Sequence, residues 1–425
     1  MAGELLDWDT CGWDEDQDGD QSTTFTTSKF DQIIETPDDS QGPLTFGIEL
    51  EFLVPVIRNV YWDDPHPQDG RPAFRYNTQA SLYFDSDPYQ LTCDLDDKIR
   101  DVLEKACDVR FRLGREEIWH APHDNLPLYD ACRLVGDETL AFRTGRFSNH
   151  EAYEWVGKEV TSDVLSCDDP EFYTKRIRDI CRAIRAMRVH LNSTCGVHVH
   201  VGHGDESFSL VTMKKFSTLI LLVDELLLDL HHPSRTKNGH CAPLESWSYV
   251  QSRDIEGLLD DNRVLLTPGE RQQMNEFVPT RFNFTQPRRI LQTRALKFID
   301  YRRSSRGSMG FRRFLPAGKT GGNTHTFEFR QMTGCLDPEP ILHWVRVCTA
   351  FTDFARHSSP EQYKDLLDKI MDDRSTFSKF DLLLALNLDQ EEQYFRQKVE
   401  AWDKGKELGF YEGDEEGRLF LSKME

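Results

Sequence analysis

The sequence has few basic residues for its length, and this shortage limits what it can bind. Of 425 residues, 51 are Lys or Arg and 73 are Asp or Glu, which gives a formal net charge of −22 at pH 7. Contacts with nucleic-acid phosphates and with anionic lipid headgroups need clustered cations. We therefore expect no nucleic-acid partner and no membrane partner.

Other features of familiar protein classes are also missing. No Cys-x-x-Cys pair occurs among the ten cysteines, which argues against a structural zinc site. The first residues lack the basic and apolar regions of a signal peptide. The longest apolar run, residues 219–230, contains Asp224 and Glu225 and is too short to span a bilayer. We therefore expect a cytoplasmic protein with reduced thiols.

The first 42 residues differ in composition from the rest of the chain. They hold twelve acidic residues, one basic residue and few residues that could form a core. Such a composition predicts a disordered acidic leader over residues 1–42. We expect one main domain with insertions over residues 43–358, and a helical extension over residues 359–425.

Within the main domain, short strands are interleaved with helices. Alternation of apolar and polar residues predicts strands over 44–54, 117–120, 134–139, 153–161, 196–201 and 324–332. Helical periodicity predicts helices over 95–113, 172–191, 210–230 and 337–356. The irregular spacing of these elements indicates an α+β fold, with an antiparallel or mixed sheet and helices packed on one side.

Three of the predicted strands place titratable side chains on one face and apolar side chains on the other. The titratable residues are Glu49 and Glu51, His198 and His200, and Glu328 and Arg330. Glutamates two positions apart on a strand repel each other unless a cation lies between them. Carboxylates and imidazoles are the ligands that Mg²⁺, Mn²⁺ and Zn²⁺ bind. We therefore predict a metal-binding face, the alternative being an ordinary solvated sheet face.

Other residues near these strands are ambiguous. Glu159 is a lone carboxylate on a further strand, and Arg235 follows the long apolar helix. Residues 281–313 hold ten basic residues and one acidic residue, which suits a polyphosphate, a carboxylate substrate or an ordinary basic face. The strands also contain glycines, which we expect to leave room for a ligand at the backbone: Gly47, Gly196 and Gly202.

Five motifs, taken in order, resemble the amidoligase family, in particular its fungal members. They are FGIELEF, GKEVTSDVL, CGVHVHVGHG, HPSRTKNGHCAPL and THTFEFRQMTGCLDPEPILHWVRVC. The resemblance runs from around Leu44 to around Arg356. The family belongs with the carboxylate–amine ligases related to glutamine synthetase and γ-glutamylcysteine ligase. It implies a glutamine-synthetase-like curved antiparallel sheet, with helices packed on the convex face and the active site in the concave face.

The resemblance also implies an activity. Such ligases use ATP to form an amide bond through an acyl phosphate, and they release ADP and phosphate with Mg²⁺ or Mn²⁺ at the phosphates. The substrates would be small-molecule or peptide carboxylates and amines. The oligomeric state is left open. Two alternatives also stay open: a metal-dependent hydrolase or phosphotransferase on the same face, and a non-catalytic binding protein on a ligase scaffold.

The family's functional residues correspond to particular positions of this sequence. By resemblance, the metal ligands are Glu49, Glu51, His198 and Glu328, joined by Glu159, which completes a metal site and faces the incoming amine. The resemblance places His200 nearer the nucleotide phosphates. It makes Arg330 the cation that stabilises the transferring phosphoryl group and Arg235 a clamp for phosphate or substrate.

Overall fold

A computed structural model describes most of the main domain and the helical extension. The described residues are 42–58, 63–66, 69–75, 88–114, 130–143, 150–204, 206–235, 239–244, 307–310, 325–372, 376–403 and 419–424. The leader predicted over residues 1–42 lies outside them except for Gly42. The strand predicted over 117–120 and all ten basic residues of the stretch 281–313 lie outside them too.

One sheet contains the strands of the described residues. They are β1 (Thr45–Ile57), β2 (Phe74–Arg75), β3 (Phe111–Leu113), β4 (Cys132–Gly136), β5 (Tyr153–Thr161), β6 (Leu165–Ser166), β7 (Gly196–Gly202), β8 (Met309–Gly310) and β9 (Phe327–Thr333). Their order is β3-β4-β5-β1-β7-β9-β8, with β2 and β6 also paired to β1. The pairs β3–β4 and β1–β2 are parallel and the others are antiparallel.

Helices follow or connect these strands. They are α1 (Pro88–Ala106), α2 (Pro170–Arg185), α3 (Leu210–Leu228), α4 (Pro338–His357), α5 (Pro360–Asp372), α6 (Lys379–Ala385) and α7 (Asp389–Asp403). The start of α4 follows the sequence signal, because the Asp337 side chain accepts a hydrogen bond from the Glu339 amide and Pro338 occupies the first turn. None of the helices described combines the length and apolarity needed to cross a membrane.

The apolar face of the sheet packs against helices. Phe216 of α3 stacks on Phe327 of β9 with ring centroids 3.7 Å apart, and Phe351 of α4 contacts Phe216 edge-on at 5.3 Å. Trp344 of α4 lies edge-on to Phe329 of β9 at 6.2 Å. Burying such a side chain contributes about 1.5–3 kcal/mol. The mixed α+β fold with a large, mostly antiparallel sheet is confirmed, and its glutamine-synthetase-like form stays a prediction.

Two helices end earlier in the structure than the sequence predicts. Residues 95–113 are not one helix, because α1 runs from Pro88 to Ala106 and Phe111–Leu113 forms β3. Beyond α1, buried residues alternate with more exposed ones at 109–113, so a period of two replaces the helical one. The second helix ends at Arg185 rather than at residue 191, and the backbone of His190 then pairs with that of Leu53.

The helical extension shares the core of the main domain. Tyr363 of α5 and Phe395 of α7 are buried in the same hydrophobic cluster as Phe216 and Phe351. The Tyr363 hydroxyl donates a hydrogen bond of 2.8 Å to the Lys215 carbonyl of α3. The extension is therefore packed as a continuation of the helical layer.

Candidate functional site

The polar face of the sheet brings together the residues that alternation selects. Glu49 of β1 lies opposite His198 of β7, and Glu51 lies opposite Glu159 of β5. Neighbouring strands are about 4.8 Å apart, so paired residues on one face are within side-chain reach of each other. Two residues further along β7, His200 lies opposite Glu328 of the neighbouring strand β9.

A first cluster of possible metal ligands consists of Glu49, His200 and Glu328. Each offers one ligand atom, and these atoms lie within 4.8 Å of one another. His200 Nε2 is 2.9 Å from Glu49 Oε1. Two carboxylates and an imidazole form a donor set that suits Mn²⁺ or Mg²⁺.

A second cluster lies beside the first and contains only carboxylates. Its members are Glu51, Glu159 and Asp137, whose ligand atoms also lie within 4.8 Å of one another. The Thr161 hydroxyl donates to Glu159 Oε1 at 3.1 Å, and the Gly196 amide donates to Glu51 Oε2 at 2.6 Å. Oxygen-only donors are typical of Mg²⁺ sites.

Asp137 is the site residue that the sequence reasoning missed. It directly follows β4, whose pairing with β5 sets Val135 opposite Glu159. The sequence signal was a short strand over 134–139, which includes Asp137 but does not say which strand lies next to it. Only the register of β4 against β5 identifies this acid as a neighbour of Glu159.

The two histidines of β7 have different environments. His198 Nδ1 lies 2.9 Å from Glu49 Oε2, while its Nε2 lies 3.4 Å from Glu51 Oε1 and 3.4 Å from Arg235 Nη2. Its ring therefore links the two clusters through their carboxylates. In this geometry His200 lies with Glu49 and Glu328, and His198 lies between Glu49 and Glu51. The roles that the resemblance implies, His198 as a metal ligand and His200 nearer the phosphates, stay predictions.

Charge in the first cluster favours ionised carboxylates. Burial on its own would raise the pKa of Glu49, but the charge of His200 and hydrogen bonds from both histidines hold it well below its usual value. Burial likewise opposes ionisation of Glu328, and the Arg330 guanidinium, followed by His200, lowers the pKa of Glu328 to about 2. Arg330 Nη1 pairs directly with Glu328 Oε1. These carboxylates are therefore ready to bind a cation.

Charge in the second cluster is less balanced. Burial raises the pKa of Glu159 well above its usual value, and the negative charges of Glu49, Glu51 and Asp137 raise it further. The hydrogen bond from Thr161 opposes this shift. A bound cation would relieve the repulsion among these acids.

Arg235 lies beneath the site and is buried. Its Nε and Nη2 donate to the Arg330 carbonyl at 3.0 and 2.8 Å, and its Nη1 donates to the Cys195 carbonyl at 3.3 Å. In these contacts Arg235 joins β9 to the start of β7 and supports His198. Its predicted role as a phosphate or substrate clamp stays a prediction.

The expectation that glycines leave room for a ligand is wrong at Gly196. A Cβ there would lie 2.3 Å from Arg235 Nη2, so this glycine makes room for the arginine. A Cβ at Gly202 would meet Thr326, and one at Gly47 would meet Ser162. Protein side chains thus occupy the space that the missing side chains leave.

Comparison with protein families gives a match over most of the chain. A family model described as "putative amidoligase enzyme" matches residues 42–352. The matched stretch begins just before β1 and ends within α4, so it includes every residue of both clusters. Nothing among curated proteins or solved structures matches the chain.

Proposed function

We propose that this chain, which belongs to the amidoligase family, is an ATP-dependent ligase that joins a carboxylate to an amine. The carboxylate would first accept the terminal phosphoryl group of ATP. The amine would then attack the acyl phosphate, which forms the amide bond and releases phosphate, while ADP leaves separately. The observation that carries this proposal is the pair of cation-ligand clusters side by side on β1, around Glu49 and Glu51.

The donor atoms of both clusters fit Mg²⁺ or Mn²⁺. Glu49, His200 and Glu328 would hold one ion, and Glu51, Asp137 and Glu159 would hold another cation. Such ions supply charge neutralisation at the phosphates during phosphoryl transfer.

Arg330 is suited to stabilise the phosphoryl group. It is buried beside the first cluster, and its Nε donates to the His240 carbonyl at 3.2 Å. Its pairing with Glu328 further fixes the guanidinium. A preorganised cation in a buried site stabilises negative charge that develops in a transition state far better than a mobile one in water.

The second cluster is suited to the amine side of the reaction. An amine substrate is a cation until it loses a proton, and three carboxylates favour binding of positive charge. Glu159 would therefore lie near the incoming amine, as the resemblance implies. The acid and amine substrates themselves are left to experiment.

The test is product formation from mixed substrates. Purified protein is incubated with ATP, Mg²⁺ or Mn²⁺ and pooled carboxylates and amines, and products are followed by mass spectrometry. We expect ADP, phosphate and a new mass equal to acid plus amine minus water. Glu328→Gln should abolish all three, whereas Glu206→Gln, an exposed glutamate outside both clusters, should not. Metal-dependent hydrolysis without ATP consumption would contradict the ligase and support the hydrolase.

A further inference from the structure

Residues 419–424 lie outside the stretch that the family model matches, yet they dock onto the body of the protein. Their first three side chains are buried. The Leu421 amide donates to the Val189 carbonyl at 3.0 Å, and the Leu421 carbonyl accepts from Arg71 Nη1 at 2.6 Å. This segment is therefore held by specific backbone contacts as well as by burial.

The segment packs on the same face of the sheet as the candidate site. Tyr153 and Trp155 of β5 share the face of Glu159, because they precede it by an even number of positions. The Phe420 ring lies 5.7 Å from that of Tyr153 and 6.1 Å from that of Trp155.

His190 extends this contact toward β1. Its Nδ1 lies 2.9 Å from the Leu419 carbonyl, and its backbone exchanges hydrogen bonds of 3.0 and 2.9 Å with Leu53. Leu53 follows Glu51 by two positions on the same face. The segment is thus connected to β1, the strand that carries Glu51 of the second cluster.

A loop of residues 137–143 connects Trp155 to the second cluster. At its far end, Phe142 stacks on Trp155 with ring centroids 4.2 Å apart and an interplanar angle of 7°. In its middle, the Ala141 amide donates to Thr194 Oγ1 at 3.3 Å, and the Ala141 carbonyl accepts from Asn192 Nδ2 at 2.9 Å.

The near end of loop 137–143 carries Asp137. The Asp137 amide donates to the Gly157 carbonyl at 3.1 Å, and a Cβ at Gly157 would lie 2.0 Å from the Asp137 carbonyl oxygen. The loop therefore rests directly on β5 at a residue between Trp155 and Glu159. Ring contacts therefore run from Phe420 through Trp155 to Phe142, and the backbone of loop 137–143 connects Phe142 to Asp137.

We propose that residues 419–424 are a positioning element of the site, through which Phe420 fixes Trp155 and loop 137–143 and so sets the Asp137 carboxylate beside Glu51 and Glu159. That this cluster serves the amine rests on the proposed function. Removal of the Phe420 ring should loosen the loop and weaken binding of the amine, while ATP binding at the Glu328 side stays the same.

Hydrogen exchange in the full-length protein tests the positioning without any substrate. In Phe420→Ala we expect the amides of loop 137–143 to exchange about tenfold faster, relative to those of α5. Phe420→Leu, which keeps apolar volume, should give a smaller change in the same direction. The matched control is Phe395→Ala, which removes a buried aromatic ring from α7 in the helical layer.

Two results would overturn the positioning role. One is unchanged exchange of loop 137–143 in Phe420→Ala. The other is an equal increase in Phe420→Ala and Phe395→Ala, because global destabilisation would explain it.

Steady-state kinetics then separates this proposal from the ligase activity itself. In Phe420→Ala we expect the KM for the amine to rise about tenfold while the KM for ATP is unchanged. Turnover with unaltered exchange and unaltered KM would overturn the positioning role and leave the ligase in place. Faster loop exchange in a protein that never forms an amide would support the positioning role and overturn the ligase.

Discussion

His198 and His200 lie two positions apart on the same face of β7, but their contacts differ. His200 joins Glu49 and Glu328 in the first cluster, whereas His198 lies against Glu49, Glu51 and Arg235. A residue that orients ligands is needed for tight binding, but less so than the ligand itself.

Metal titration of matched variants tests this division. We expect His200→Gln to abolish Mn²⁺ binding at the first cluster, and His198→Gln to weaken it by about 10-fold, as is typical for residues behind a ligand. Isothermal titration calorimetry gives both affinities, with melting temperatures measured in parallel because both histidines are buried. A larger loss for His198→Gln would contradict this division and support His198 as the metal ligand, as the resemblance implies.

Asp224 is a buried acid on the helical side of the sheet. Its carboxylate accepts hydrogen bonds from Ser308 Oγ at 2.6 Å, from the Leu244 amide at 2.8 Å and from Gln331 Nε2 at 3.3 Å. Burial raises the pKa of Asp224 to about 6 from an ordinary value of 3.8, although these hydrogen bonds oppose the shift. Asp224 thus stays protonated in the folded protein at a pH where it is ionised in the unfolded chain.

This difference predicts how stability depends on pH. Between about pH 4 and pH 6 the folded state binds more protons at Asp224, so its contribution to the free energy of unfolding falls by up to about 3 kcal/mol as pH rises. Asp224→Asn should remove this part of the slope, measured by urea denaturation across that range. Asp229→Asn, at the exposed end of α3, should retain it. An unchanged slope in Asp224→Asn would contradict the assignment.

At the scale of elements, the pairing of β9 with β7 contains an irregularity. Two steps along β7, from Val197 to Val199, correspond to three steps along β9, from Met332 to Phe329. The extra residue sets Phe329 and Met332, which are three positions apart, opposite Val199 and Val197 on the apolar side. Between them, Arg330 pairs with Glu328 and Gln331 donates to Asp224 on α3. The polar site and the helical layer are therefore joined through β9.

The start of β7 requires a glycine because the Arg235 guanidinium occupies the space beside Gly196. Gly196→Ala would place its Cβ against the buried Arg235 guanidinium, which is held by the Arg330 and Cys195 carbonyls. We expect a loss of roughly 1–3 kcal/mol in stability, typical of overpacking, and a loss of ligase activity as His198 shifts. Differential scanning fluorimetry measures the loss of stability as a lower melting temperature. The control is Gly239→Ala, because no atom of the described residues lies within 4 Å of the added Cβ there. Equal melting temperatures for both variants would contradict the prediction.

At the scale of the whole molecule, the helices after residue 359 complete one core with the main domain. Buried residues of α5, α6 and α7 belong to the hydrophobic cluster that includes α3 and α4. The family match ends at residue 352, yet the fold continues through these helices and through residues 419–424.

Truncation at the two ends should therefore have opposite results. A chain ending at residue 358 would expose the apolar surface that α5–α7 cover, so we expect it to aggregate or to lose its cooperative melting transition. Removal of residues 1–41 should change neither melting temperature nor turnover, as their composition predicts. Size-exclusion chromatography and thermal melts of both truncations would check this. A well-folded monodisperse chain ending at 358 would contradict the shared core.

Much of the fold and site was predictable because it depends on local periodicity. The strand β5 and the helix α4 appear where alternation and the Asp337–Pro338 start predict them. The side of the sheet to which Glu49 and Glu328 point was predictable from the same alternation. The ends of α1 and α2 were not predictable in this way, since the chain leaves each helix to pair with a strand that is distant in sequence.

The sequence by itself determined which residues share a face of each strand, since side-chain direction alternates with the backbone and needs no partner. It thereby identified Glu51 and Glu159 as separate candidates. Only the tertiary structure decided that Asp137 joins them, that Arg235 occupies the space at Gly196 and that Phe420 reaches Trp155. Those contacts depend on strand register and on segments far apart in the chain, and no local pattern encodes such distances.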